Sequence, residues 1–369
     1  MHINIYLISF VVILGVLFGI NDNIKKRRLY IILCSIVLIF VAAMRSPEWM
    51  TFTYRIDTLN YKGYFESSFN LSWKEFWRFA LARYVGFSDD FDIGFIALEK
   101  LIGYITTDFH IYSLLADLLF FVPFGLILYR YCTSMKQIIF AFVFYIALVQ
   151  VYFFGGARQI FAMGFDMMAL LSIIDKKKLL AVLFFLIGVS IHFSSFLFLV
   201  PLLMIWFGIT PRAMKILHFI CFILFPLVLL IPDEIIVIMG NVSGLEKYTN
   251  YGEGAISGGA TTFIVLIELL SLFCLFAIKE KNIRENETMR VFYVMAPLFT
   301  LFAPLIRADG TMTRIALYYY LFLALLVPYG LECMFKGSTK NIIYIVVIGL
   351  LAFLTVSGGG MTYYFYWQI

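Results

Sequence analysis

Apolar residues run along this chain in blocks of about 16–20, the length a helix needs to cross a bilayer, separated by brief polar turns. The blocks predict helices at 3–20, 29–44, 110–129, 137–154, 159–174, 179–191, 194–207, 215–231, 262–278, 291–306, 315–333 and 341–356. The fold class is therefore an all-α integral membrane protein with about twelve transmembrane helices in a single polytopic domain over 1–369. The runs 179–191 and 194–207 are short, and one bent unit is an alternative. A further short run, 93–106, carries Glu99 and Lys100 and reads as re-entrant, interfacial or an extra span. No basic region precedes the first run and no small-residue cleavage site follows it, so it is expected to be a retained span.

Two long polar stretches interrupt the blocks, 45–109 and 232–261. In the first, Trp73, Phe76, Trp77, Ala80, Leu81 and Tyr84 recur at helical spacing, while Lys74, Glu75, Arg78 and Ala82 fall off that stripe. This predicts an amphipathic helix lying in the membrane interface. The second, rich in Gly, Asn, Thr and Ser, reads as a mobile loop with a lid as one use.

Composition agrees with the pattern: 63% of the 369 residues are hydrophobic and 14% are charged. Such a chain needs lipid around it. The net charge of +5 carries little about nucleic acid, because the basic residues follow sidedness. Lys25–Arg28, Arg130 with Lys136, Lys176–Lys178, Arg212 with Lys215, the Lys279–Arg290 group, and Lys336 with Lys340 all fall on one side. The positive-inside rule makes that side cytoplasmic, so both termini and both long loops face outward. The five cysteines lie in or beside apolar runs, which argues against disulfides and zinc sites.

Several familiar chemistries are missing from the sequence. It has no phosphate-binding glycine loop followed by Lys-Ser or Lys-Thr, no Gly-x-Ser-x-Gly elbow, and no closely spaced cluster of metal ligands. An ATP-driven pump and a serine hydrolase are demoted, and nothing calls for a metal or cofactor. What remains is a set of arginines on the outer side: Arg45, Arg55, Arg158, Arg307 and Arg314. Arginine near a membrane is costly, stays charged and forks onto phosphate. Asp57, Tyr61, Gln159, His192, Ser194, Asp309 and Tyr318 share that face. Together they would suit a pyrophosphate leaving group beside a hydroxyl nucleophile.

Plainer readings stand beside this one. Each arginine alone would snorkel to headgroups. Asp57 would close a turn, His192 would cap a helix break, and Tyr61 and Tyr64 would sit in an aromatic belt. Asp117, Asp166 and Glu268 look intramembrane and read either as a proton path or as packing pairs.

The order of these motifs resembles the Wzy/EpsG-type polysaccharide polymerases, particularly the EpsG-like branch. The matching pieces are Arg45 with Asp57-Thr58-Leu59-Asn60-Tyr61, Arg158-Gln159-Ile160-Phe161-Ala162, Lys176-Lys177-Lys178, Ile191-His192-Phe193-Ser194, and Arg314 followed by Tyr318. Ile56 stands where that family usually has glycine. The resemblance implies a GT-C-like glycosyltransferase of the bacterial inner membrane, working on the periplasmic face. It would join undecaprenyl-pyrophosphate-linked oligosaccharides into O-antigen, capsule or exopolysaccharide, the first being a step of lipopolysaccharide biosynthesis. No cofactor is implied; membrane lipid and a chain-length regulator are the implied partners. On this reading Arg158, Arg314, Arg45 and Arg307 hold pyrophosphate, with Gln159, Tyr61 and Tyr318 beside the glycan. His192 is the first choice of base and Asp57 the second. The alternatives are a lipid-linked oligosaccharide flippase, an O-antigen ligase and a membrane acyltransferase.

Overall fold

A computed structural model describes residues 3–54, 57–84, 92–231, 234, 258–307, 312–357 and 362–368. Arg55, Ile56, Asp309 and nearly all of the second long loop lie outside the described residues. Among those described, every regular element is helical, and the one pairing of extended backbone is an isolated bridge between Arg45 and Phe365.

The chain divides into two compact units, 1–199 with 348–369, and 200–347. The first opens with α1 (Ile3–Gly19), α2 (Ile24–Ala43), α3 (Pro47–Tyr54), α4 (Thr58–Asn70), α5 (Trp73–Tyr84) and α6 (Ile93–Gly103). It continues through α7 (Phe109–Tyr131), α8 (Met135–Phe144), a π turn (Tyr145–Val149), α9 (Gln150–Gly155), α10 (Ala157–Ile174) and α11 (Lys178–Ile191). A 3-10 segment, Phe193–Phe198, then leads to α12 (Leu199–Trp206), which from Val200 on belongs to the second unit.

The predicted apolar blocks are helices, and most begin two to five residues before the apolar run does. Helix N-termini leave backbone N–H groups that polar side chains satisfy, so the first turn of a span is hydrophilic. Asn23 accepts from the Lys26 N–H ahead of α2, and Asp108 accepts from the His110 and Ile111 N–H groups ahead of α7. The hydrophobic pattern alone misses those turns.

The core of this unit is a close stack of α10 on α7 and α11. Gly164 permits it: a Cβ there would lie 2.2 Å from the Leu119 carbonyl oxygen of α7. Small residues at such crossings let helix backbones approach where lipid supplies no hydrophobic driving force. Around this stack, Phe65 and Tyr112 are stacked at 4.2 Å, with Phe95, Phe109 and Phe161 in the same buried cluster. The aromatic segment 362–368 is tied back to α3 and to the end of α2: Trp49 Nε1 of α3 donates to the Thr362 carbonyl at 3.1 Å, and the Tyr363 hydroxyl donates to the Val41 carbonyl of α2.

The second unit comprises α13 (Pro211–Leu230), α14 (Gly258–Ala277), α15 (Glu280–Glu285), α16 (Glu287–Tyr293) and α17 (Met295–Phe302). After a 3-10 turn (Ala303–Arg307) come α18 (Thr313–Tyr320), α19 (Leu323–Met334) and α20 (Gly337–Ser357), the last running into the first unit. Here α13 packs on α17, and α14 on α19.

Among the described residues, six helical stretches are long and apolar enough to cross a membrane, and a seventh counts α18 and α19 as one span bent by 44°. Four further apolar helices, including α1 and α11, are shorter. Length and composition thus support six or seven spans where the hydrophobic pattern predicts about twelve. The pattern counts apolar character, while several of these helices run fewer than 18 residues. The predicted amphipathic helix is α5, over Trp73–Tyr84. Phe76 and Ala80 are buried, and Trp77 and Leu81 of the same stripe are exposed.

Candidate functional site

The site is built where α6 meets α11. Gly94, in the first turn of α6, makes that meeting possible: a Cβ there would lie 2.2 Å from Ser190 Oγ and 2.6 Å from the Ser190 carbonyl carbon. The close approach brings Asp92, the residue that starts α6, beside His192, the residue that ends α11. Asp92 occupies the N-cap position, yet its side chain makes no cap hydrogen bond. Its Oδ2 instead accepts from Arg158 Nη1 at 3.2 Å and lies 3.2 Å from His192 Nδ1. One carboxylate oxygen therefore serves two groups from two other helices.

His192 is held by its neighbours. Its N–H closes the last turn of α11 on the Gly188 carbonyl at 3.0 Å. Three residues on, Ser195 Oγ donates to the buried Asp166 carboxyl of α10, 2.7 and 2.8 Å from its two oxygens. That anchor fixes the 3-10 segment against α10 and so sets where the break places the imidazole. Asp166 is thus a packing partner. Arg158 is the second residue of α10 and reaches out from the helix start. It lies over the Phe95 ring, 5.9 Å from its centroid, and engages the Tyr61 hydroxyl. Its Nε is buried with no hydrogen-bond partner.

A cavity of about 210 Å³ opens beside this cluster. Asp92, Arg158 and Glu99 line it, with Ser67 and Ser68 of α4 and the rings of Tyr64, Phe79 and Phe95. Glu99 lies fully buried on α6, accepting from Ser68 Oγ at 2.6 Å and from the Tyr112 hydroxyl at 3.2 Å. Burial pushes its carboxyl up to about 8, against the opposing pull of those two hydrogen bonds and of the Arg158 charge. The group is therefore mostly protonated at neutral pH. Aromatic faces, hydroxyls, a carboxylate, a carboxylic acid and a guanidinium together form a lining suited to a polyhydroxylated ligand carrying an anion.

Of the residues singled out in the sequence, Arg158, His192 and Tyr61 come together here. Gln159 follows Arg158 and is buried in α10. Arg45 is buried elsewhere in the unit, where it donates to the Ala42 carbonyl and to Thr58 Oγ1 (3.4 Å) and lies 5.4 Å from the Phe154 ring centroid. Asp57 starts α4 and accepts from Asn60 Nδ2 at 3.3 Å. Arg307 donates to the Leu229 carbonyl at 3.1 Å, while Arg314 and the buried Tyr318 lie on α18; all three belong to the second unit. The sequence reading missed Asp92 and gave Glu99 no role. A signal existed for Asp92, an aspartate directly before the apolar run at 93, but it reads first as a cap. Nothing local marks Glu99 as part of a pocket.

Compared with known proteins, residues 31–366 match the model of the EpsG family. No curated protein and no solved structure matches the chain.

Proposed function

The chain belongs to the EpsG family, and from that premise we propose that it polymerises lipid-pyrophosphate-linked oligosaccharide repeat units at the outer face of the cytoplasmic membrane. The observation that carries this reading is the convergence of Arg158 and His192 on Asp92, which together with Arg158 lines the aromatic pocket. The twelve-span, GT-C-like architecture is part of the same proposal; it adds the shorter apolar helices and α2 to the seven spans.

The reaction needs little beyond placement and charge. The acceptor hydroxyl oxygen attacks the anomeric carbon of the donor. The bond from that carbon to the pyrophosphate oxygen breaks, and the electron pair leaves with the diphosphate. Arg158 meets that growing charge with paired N–H donors in a partly desolvated site. The hydroxyl proton goes to His192. Its Nδ1 faces Asp92, which assigns the proton transfer to Nε2; Asp92 holds the ring and stabilises the imidazolium. Holding two lipid-anchored glycans side by side supplies much of the remainder. The energy resides in the glycosyl-pyrophosphate, so no nucleotide is consumed. Gln159 and Tyr61 are proposed to contact the glycan and Asp57 to stand as the second choice of base, each to be tested by its own variant; a pyrophosphate role for Arg45, Arg307 and Arg314, and a glycan role for Tyr318, are tested in the same way.

The test is a gene deletion complemented by variants, read as the ladder of surface glycans on a gel. Arg158→Ala and Arg158→Lys are expected to leave one repeat unit per carrier with the protein still inserted, because a lysine cannot make the bidentate contact. Full-length polymer from Arg158→Lys would overturn the clamp. Loss of every repeat unit, single ones included, would favour a flippase or a ligase.

A further inference from the structure

The second unit contains a buried polar chain that the outer pocket does not use. His218 of α13 is fully buried; its Nδ1 lies 2.9 Å from the Tyr293 hydroxyl and its Nε2 3.0 Å from Ser271 Oγ. Ser271 Oγ lies 2.8 Å from Thr300 Oγ1. One helical turn from Ser271 on α14 is Glu268, 5% exposed, and both its carboxyl oxygens are buried with no hydrogen-bond partner. The Thr300 side chain is close enough to interact with that carboxyl, though no hydrogen bond joins the two in this geometry. Four helices, α13, α14, α16 and α17, each contribute to this line.

A carboxylate without donors in an apolar bundle costs far more than a neutral acid. Hydroxyls and imidazole both donate and accept, so the line from Tyr293 to Thr300 is continuous for a proton. We propose that Glu268 is a proton-binding site, loaded along Tyr293, His218, Ser271 and Thr300 from the end of α13 that carries Lys215. The transfer balances at every atom. His218 Nδ1 gains a proton from Tyr293, which is reprotonated from its far side. Nε2 passes its proton to Ser271 Oγ, Ser271 passes its own to Thr300 Oγ1, and Thr300 passes its own to Glu268. The carboxylate becomes a carboxylic acid, and the imidazole is left as the other neutral tautomer.

The other charged and titratable groups around the line are accounted for. Lys215 Nζ donates to the Leu275 and Ile278 carbonyls, and lies 5.4 Å from the Tyr293 ring centroid. Cys221 of α13 faces Glu268, and Cys274 of α14 faces Lys215. On elements packed against α13 or α14, Arg307 is committed to the Leu229 carbonyl, Glu332 to Lys340, Arg290 to Glu287, and on α15 Arg284 to Glu280 and Lys281 to Glu285. None of these closes the gap at Glu268.

The experiment is infrared spectroscopy of the full-length protein in lipid bilayers, taking the wild-type minus Glu268→Gln difference at neutral pH. The expected difference contains the carbonyl band of a protonated carboxylic acid, which shifts on transfer to D2O. Ser271→Ala and Thr300→Val should keep that band and slow its deuteration by about tenfold or more, as loss of one step of the relay requires. A difference showing only ionised carboxylate would overturn the proposal. So would deuteration at the wild-type rate in both hydroxyl variants, or a band abolished by sodium and retained in potassium, which would make the site a cation site.

Discussion

At the level of single residues, the site turns on where two carboxyl groups sit. Asp92 is shared between Arg158 and His192, so Asp92→Asn should leave the protein folded and cut polymer yield by about tenfold to a thousandfold. The loss should fall on kcat in a purified assay. An unchanged pH profile in that variant would exclude Asp92 from setting the state of His192. Glu99 makes a pH prediction whose sign is fixed. Its carboxyl titrates at about 8 in the folded protein, above its ordinary value near 4.5. The folded chain therefore holds a proton that the unfolded chain releases, and stability falls as pH rises from about 4.5 to about 8. Glu99→Gln should be close to neutral at pH 5, and relative to wild type more stable at pH 9 by on the order of a few kcal/mol. Thermal unfolding in detergent at the two pH values measures this. Neither carboxyl announced its role in the sequence: Asp92 looks like any helix cap, and Glu99 like a stray charge in a short apolar run.

At the level of elements, the hydrophobic pattern located the helices and lost their first turns, because caps are polar. It also located the break at His192. It could not reveal that α6 touches α11, since that contact depends on the absence of a side chain at Gly94. Gly94→Ala would push a methyl group into Ser190 and prise Asp92 from His192. The expected result is inserted protein with activity reduced at least as far as in Asp92→Asn, checked by glycan ladder and membrane-fraction blot. Ser195→Ala removes the anchor of the 3-10 segment on Asp166, and should cost about 1–2 kcal/mol of stability in a bilayer. Activity lost out of proportion to that cost would place the anchor's importance in orienting His192.

At the level of the whole molecule, the family resemblance came from the order of motifs along the chain, while sidedness is an expectation that rests on charge alone. The site was legible only in part, because the residues that meet at Asp92 come from three helices with long stretches between them. Orientation is open to direct test. Single cysteines replacing Lys177 and Glu75 should react with a membrane-impermeant maleimide from opposite sides, Lys177→Cys from the cytoplasm and Glu75→Cys from outside. Labelling of both from one side would overturn the topology. The aromatic tail offers a second handle, since Tyr366 stacks on His110 at 3.9 Å and Tyr363 reaches back to Val41.

The single oxygen that Arg158 and His192 share has a last implication. A carboxylate resting on the guanidinium is a built-in mimic of the diphosphate that the guanidinium is proposed to grip. Incoming donor would have to displace it, and once the glycan has moved on, it would return and eject the spent carrier. Turnover would then be governed by a competitor wired into the polypeptide, and Asp92→Ala, besides weakening the chemistry, would leave the enzyme clogged with its own by-product.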